Sequence, residues 1–140
     1  MPTPPVPPRV PLRPTLLVRP WSAVLAGGLI GSAARLGLSA AVATPVAGFP
    51  MASLIVNLTG SLLLGFYLAR RQRSLSGPFS VQFWGIGVFG SLTTFSAFSV
   101  EVVQLVGHGE AALAAGYVAA SVVGGLIVVL VGQRIGSVLR

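Results

Sequence analysis

The sequence contains no cysteine and no lysine, only two acidic residues, Glu101 and Glu110, and a single histidine, His108. The lack of cysteine excludes disulfides, thiolate metal sites and thiol nucleophiles, and leaves the redox compartment undetermined. One histidine between Gly107 and Gly109 is too few for a zinc cluster or a Ser/His/Asp triad, so the chain is not read as an enzyme. No GxxxxGK[ST] run or other phosphate-cradling loop occurs, which removes coupling to ATP. Charge is scarce as well: 8% of the 140 residues are charged and 54% are hydrophobic. That balance lies far outside the range of soluble single domains and places the chain in a membrane.

What charge there is comes from nine arginines, giving a net +7. Gathered in one patch they would suggest a nucleic-acid partner. Apolar segments separate them instead, and no nucleic acid is expected. Residues 1–20 hold eight prolines and three arginines, a composition that cannot form a helix and has little to bury. They are expected to be a disordered cytoplasmic tail, with residues 21–140 forming the membrane domain. The first apolar stretch starts at Trp21, which reads as an interfacial anchor. That stretch runs too far, into Arg35, for a signal peptide. Spans are expected at 21–43, 49–69, 81–106 and 111–132, each able to cross hydrocarbon that requires about 20 residues. The short connections at 44–48, 70–80 and 108–110 favour antiparallel neighbours. The expected fold is therefore all-α, with four transmembrane helices.

Arginines beside membrane spans are retained on the cytoplasmic side. Arg9, Arg13, Arg19, Arg70, Arg71, Arg73, Arg134 and Arg140 all fall on one side, and the other side has no arginine outside a span. Both termini are expected in the cytoplasm.

Polar groups inside spans should face protein or water, because a charge at the bilayer centre costs about 2.5 to 3.5 kcal/mol on insertion scales. In the second span Ser53, Asn57 and Ser61 form one stripe, beside Gly60. In the fourth, Tyr117, Ser121 and Gly125 repeat the spacing. Such stripes commonly do no more than pack helices together. Asn57 needs more, since a carboxamide near mid-membrane must be paired or meet a polar ligand.

The third span is the least ordinary. Gly85, Gly87 and Gly90 precede Thr93, Thr94 and Ser96, and a helix break is expected near Gly90. Backbone groups freed by a break are tolerated in a membrane only where they bind ions, water or protein. Phe95 and Phe98 follow at i and i+3, with Glu101 three residues on, so both rings share a face. Two such rings are commonly packing. Turned edge-on beside hydroxyl and amide donors, however, their electropositive edges can solvate a small anion.

The run GVFGSLTTFSAFSVE at 87–101 resembles the signature of the small bacterial fluoride channels, the family called Fluc or CrcB. The likeness extends to GLIGSAAR at 28–35 and NLTGSLLLGF at 57–66, and so covers nearly everything after the proline-rich segment. The resemblance implies a multi-pass protein of a prokaryotic plasma membrane that lets cytoplasmic fluoride leave passively and so lowers its toxicity. It implies an antiparallel dimer in membrane lipid with two pores and one structural Na+ at the dimer interface. By the same resemblance, Phe95 and Phe98 match the pore phenylalanines and Asn57 the pore asparagine. Ser53, Ser96, Tyr117 and Ser121 fall on its hydroxyl track, and the backbone carbonyls of Gly90 and Thr93 match those that hold the sodium. Arg35 matches an arginine near a pore vestibule, and Glu101 the acid that closes the motif. Two positions depart from the pattern: Ala97 stands where threonine is common, and Gly125 where a track serine occurs.

Undissociated HF crosses membranes and releases fluoride in the more alkaline cytoplasm, where the anion is trapped. A potential that is negative inside drives it out through a channel with about 2.3 kcal/mol per 100 mV. Inverted copies of one chain insert most easily when arginine is balanced across the membrane, and here the balance is eight to none. An inverted paralogue is therefore the expected partner, with a homodimer as the alternative. Two rival functions are a proton-coupled multidrug or cation exporter, which needs an acid early in the chain, and a non-conducting scaffold subunit.

Overall fold

The computed structural model describes residues 14–42, 48–72 and 77–139. Among them lie four helices long and apolar enough to cross a membrane. Helix α1 is Pro14–Ala41, α2 is Met51–Arg71, and the last helix, α5, is Ala111–Val138. The third span comes in two parts: α3 over 78–92, whose middle, Val81–Phe89, is π-helical, and α4, Phe95–Gly107.

The start of α1 corrects the expected tail. Seven residues before Trp21 the chain is already helical, so residues 14–20 are not the non-helical segment their composition suggested. The reason is where the prolines fall. Pro14 takes the first helical position, where no N–H is needed and its fixed φ suits the helix. Five residues without proline then follow before Pro20, which removes only one ladder donor. Residues 1–13 lie outside the described residues, as do Arg73 and Arg140. Trp21 is exposed, as an interfacial anchor requires.

Two pairs of helices meet at backbone distance because glycine stands at the contact. Between α1 and α3, a Cβ on Gly27 or Gly31 would run into the carbonyls of Phe83 or Val88. Between α2 and α5, Gly65 faces the Val129 carbonyl, and Gly132 and Gly136 face those of Leu62 and Phe66. Lipid tails are as apolar as leucine, so close packing of this kind, rather than a hydrophobic drive, holds membrane helices together. The outward positions are correspondingly apolar, with Leu25, Leu29, Leu126 and Leu130 all exposed. At the other end of the bundle Leu54, Leu105, Ala114 and Tyr117 form a small core, packed against Phe49, Phe98 and Val102.

The last turn of α4 is closed by Gly109 at φ 82°. Its N–H goes to the Val106 carbonyl at 3.0 Å, and that of Glu110 to Leu105 at 2.9 Å. This is the paired capping that a left-handed glycine after a helix provides, and it turns the chain straight into α5. At the opposite end the Arg70 guanidinium donates to the Leu139 carbonyl, which ties the end of α2 to the end of α5.

The expected break near Gly90 is present, and it lies at Thr93 and Thr94. Gly90 is helical at φ −67° and ψ −27°. Thr93 is extended at ψ 156°, as is Thr94 at φ −144° and ψ 121°. The division of labour has a physical basis. Gly85 and Gly87 sit in the widened π-helical part, where the missing side chain of Gly87 admits α1 at Val24 and Gly27. Threonine hydroxyls compete with the backbone ladder: Thr93 Oγ1 donates to the Phe89 carbonyl at 3.0 Å, and Thr94 Oγ1 accepts the Ala97 N–H at 3.2 Å. Thr94 is thus the N-cap that starts α4.

Candidate functional site

The break brings α2, α4 and α5 together around polar groups. Asn57, on α2, faces Thr94 directly: its Oδ1 accepts the Thr94 N–H at 2.7 Å, and its Nδ2 donates to the Thr94 carbonyl at 3.0 Å. One turn on, a Cβ at Gly60 would collide with the Thr93 methyl, so the glycine is what lets the broken segment rest on α2.

A cleft opens on each side of Thr94. One, of about 340 Å³, is lined by Asn57, Ser61, Thr93, Phe95, Phe98 and Ser121. Its two phenyl rings lie 5.7 Å apart at 37°. Phe95 is 79% exposed, whereas Phe98 also packs on Tyr117 with centroids 5.3 Å apart. The Ser121 hydroxyl is buried with no hydrogen-bond partner among the described residues. The other cleft, of about 430 Å³, is lined by Arg35, Ser39, Ser53, Thr94, Ser96 and Val100. Thr94 Oγ1 and Ser96 Oγ lie 3.1 Å apart.

The structure therefore divides the predicted residues into three groups. Asn57, Phe95, Phe98 and Ser121 share the first cleft, and Arg35, Ser53 and Ser96 share the second. Tyr117 belongs to neither. Fully buried, it donates to one oxygen of Glu101 at 2.6 Å while Ser53 donates to the other at 2.5 Å. Glu101 thus joins three spans through two short bonds of the charge-assisted kind. Replacing it with alanine orphans both hydroxyls and is expected to lower stability by roughly 3 kcal/mol, at about 1.5 for each bond to a charged group. Glutamine, which keeps an acceptor, should lose about half of that. Thermal unfolding in detergent measures both, and equal stability for alanine and wild type would show the bridge to be idle.

Sequence reasoning gave Thr94 no role beyond its place after the glycines of the third span, and passed over Ser39. For Thr94 the signal was present, since threonine just before a fresh helical run is a capping residue. Ser39 was readable too, since it stands four residues after Arg35 on one helix and so shares its face.

Among the described residues no group of three or more His, Asp or Glu could hold a metal ion. Backbone carbonyls are a different matter. The N–H four residues after Gly90 is that of Thr94, given to Asn57, and the N–H four residues after Thr93 is that of Ala97, given to the Thr94 hydroxyl. Neither the Gly90 nor the Thr93 carbonyl receives its usual helical donor. Oxygens so released are the hard ligands that a small alkali cation takes, and these two residues fit one.

Comparison with known proteins places these features in a family. Residues 22–133 match the model of the family described as CrcB-like protein, Camphor Resistance (CrcB). The chain is 36% identical over 118 residues to fluoride-specific ion channel FluC 1 of Mycolicibacterium paratuberculosis, covering 84% of this chain and 89% of the relative. It is 42% identical over 115 residues to the fluoride-specific ion channel FluC of Novosphingobium aromaticivorans, covering 80% and 91%. FluC 2 of Bacillus subtilis, also a fluoride-specific ion channel, is 40% identical over 116 residues, covering 83% and 86%.

Proposed function

Since this chain belongs to the CrcB family, we propose that it is a subunit of a fluoride-selective channel through which a prokaryotic cell passively loses cytoplasmic fluoride. The observation that carries this reading is the cleft beside the break. There the Phe95 and Phe98 rings face a donor-lined wall that includes a serine hydroxyl with no partner among the described residues. Phenyl edges are electropositive, and hydroxyl and amide N–H groups donate, so a bare anion finds favourable contacts without meeting a fixed positive charge that would trap it. On the other side of Thr94, Arg35 raises the local concentration of anions in a wider vestibule with Ser39 and Ser96.

Passage needs no covalent step. Ser121 and the cleft's other donors replace part of the ion's hydration shell, the rings exclude water, and the weakness of each contact lets the ion move on. A structural Na+, were one bound, would supply a positive charge that pairs with carbonyl oxygens. Gly90 and Thr93 are the residues that would hold it, by their released carbonyls. Glu101 is a poor candidate for proton-coupled export, because Ser53 and Tyr117 hold both its oxygens.

The channel assembles as an antiparallel dimer in the cell membrane, with both termini of this chain cytoplasmic. Arg70, Arg71 and Arg134 lie near the joined ends of α2 and α5, which supports one fixed orientation and an inverted paralogue as partner. Relatives numbered FluC 1 and FluC 2 are consistent with paired genes. Cells stripped of their own fluoride export and given this chain with an oppositely inserted partner are expected to grow at fluoride concentrations that arrest the parent. Continued arrest, with both chains present in the membrane, would refute the reading.

A further inference from the structure

Asn57 makes an unusual use of its side chain, because both ends of the carboxamide bind one residue of the third span, Thr94. In an α-helix the N–H and C=O of a residue point opposite ways along the axis. One planar carboxamide cannot reach both. In an extended residue the two groups point to the same edge, and a strand neighbour pairs with them by exchanging two hydrogen bonds. A carboxamide is chemically a peptide group, and it satisfies Thr94 in that second state only. Thr94 is accordingly extended.

We infer that Asn57 is a positioning residue, which holds the third span broken at Thr94 by standing in for a strand partner. The consequences spread from that pair. Thr94 N–H is withheld from the Gly90 carbonyl, the Thr94 hydroxyl is free to start α4 by capping Ala97, and α4 then sets the angle at which Phe95 and Phe98 enter the cleft. An unpaired extended Thr94 would leave an N–H and a C=O without partners in a membrane, at a cost that favours continuing the helix. This polar side chain, which lines the cleft with the rings, is thereby committed to the backbone beside it. Its effect on a permeating anion passes through the geometry of the break.

The functional part of this inference rests on the fluoride-channel reading, but the clamp itself does not. Hydrogen exchange of the Thr94 amide in the full-length assembled protein tests the clamp, and fluoride flux in vesicles of the same preparations tests its effect. Asn57→Ala should accelerate Thr94 exchange about tenfold, the equivalent of one lost hydrogen bond, and reduce flux. Asn57→Asp keeps the acceptor for the Thr94 N–H but sets a second oxygen against its carbonyl. It should leave Thr94 protected while still reducing flux. Unchanged Thr94 protection in Asn57→Ala together with lost flux would overturn the inference and make Asn57 a direct ligand of the ion. If the alanine variant does not assemble, rapid Thr94 exchange in Asn57→Asp would overturn it equally. Absence of flux in the wild type would defeat the channel reading and still leave the exchange result to decide on the clamp.

Discussion

Truncating Phe95 to alanine is expected to reduce fluoride conduction by roughly 30-fold while leaving the protein folded. The fold-change corresponds to about 2 kcal/mol of lost transition-state contact. The stability side follows from exposure. At 79% exposed, the ring adds little to the packing of its own subunit, and a surface change of this kind shifts stability by about 0.5 kcal/mol. Phe98 differs, because it is half-buried, packing on Tyr117 and against the small core. Its truncation should lower conduction and also cost about 2 kcal/mol, short of the cost for a fully buried aromatic. A fluoride electrode and thermal unfolding on the same preparations separate the two effects. Unchanged conduction in Phe95→Ala would reduce the ring to a lipid-facing or packing residue.

The second large effect concerns orientation. The chain has no cysteine, so a single introduced thiol reports its side of the membrane without interference. His108→Cys, in the exposed turn between α4 and α5, should react with an impermeant reagent added outside intact cells. Leu139→Cys, at the joined ends of α2 and α5, should react only after the membrane is opened. If arginine placement fixes the orientation, the preference should be on the order of tenfold or more in each case. Near-equal labelling of both positions from outside would mean that the chain enters both ways and pairs with itself. Replacing Arg70, Arg71 and Arg134 with glutamine should move the labelling toward that equal outcome.

Much of the fold was legible because lipid imposes a simple rule on sequence. Runs of apolar residues gave all four spans, and their ends erred where local chemistry extends a helix beyond its apolar stretch. At α1 the helix reaches back to Pro14, a proline that suits a helix start. At α5 it continues past Arg134 to Val138. Glycine density announced an irregular third span. It did not separate the π-helical part from the break, since nine residues are too few to distinguish one helical period from another.

The site was legible in composition more than in pairing. The stripes on α2 and α5 were visible as spacing, and three of their members, Asn57, Ser61 and Ser121, do line one cleft with the phenylalanines. That Ser53 and Tyr117 turn to Glu101 depends on the relative rotation of three helices, which spacing within each one does not encode. The same limit hid the partner of Asn57. A paired or ligand-facing carboxamide was the sequence requirement, and the fold supplies the pair in the backbone of Thr94.

The most direct test is a fluoride-electrode recording from vesicles that contain this chain and an inverted partner, loaded with fluoride and given a potential but no proton gradient and no ATP. Fluoride should leave down its electrochemical gradient, with chloride passing far more slowly under the same conditions. No fluoride movement from vesicles in which both chains are present, or movement that requires an imposed pH gradient, would contradict the account.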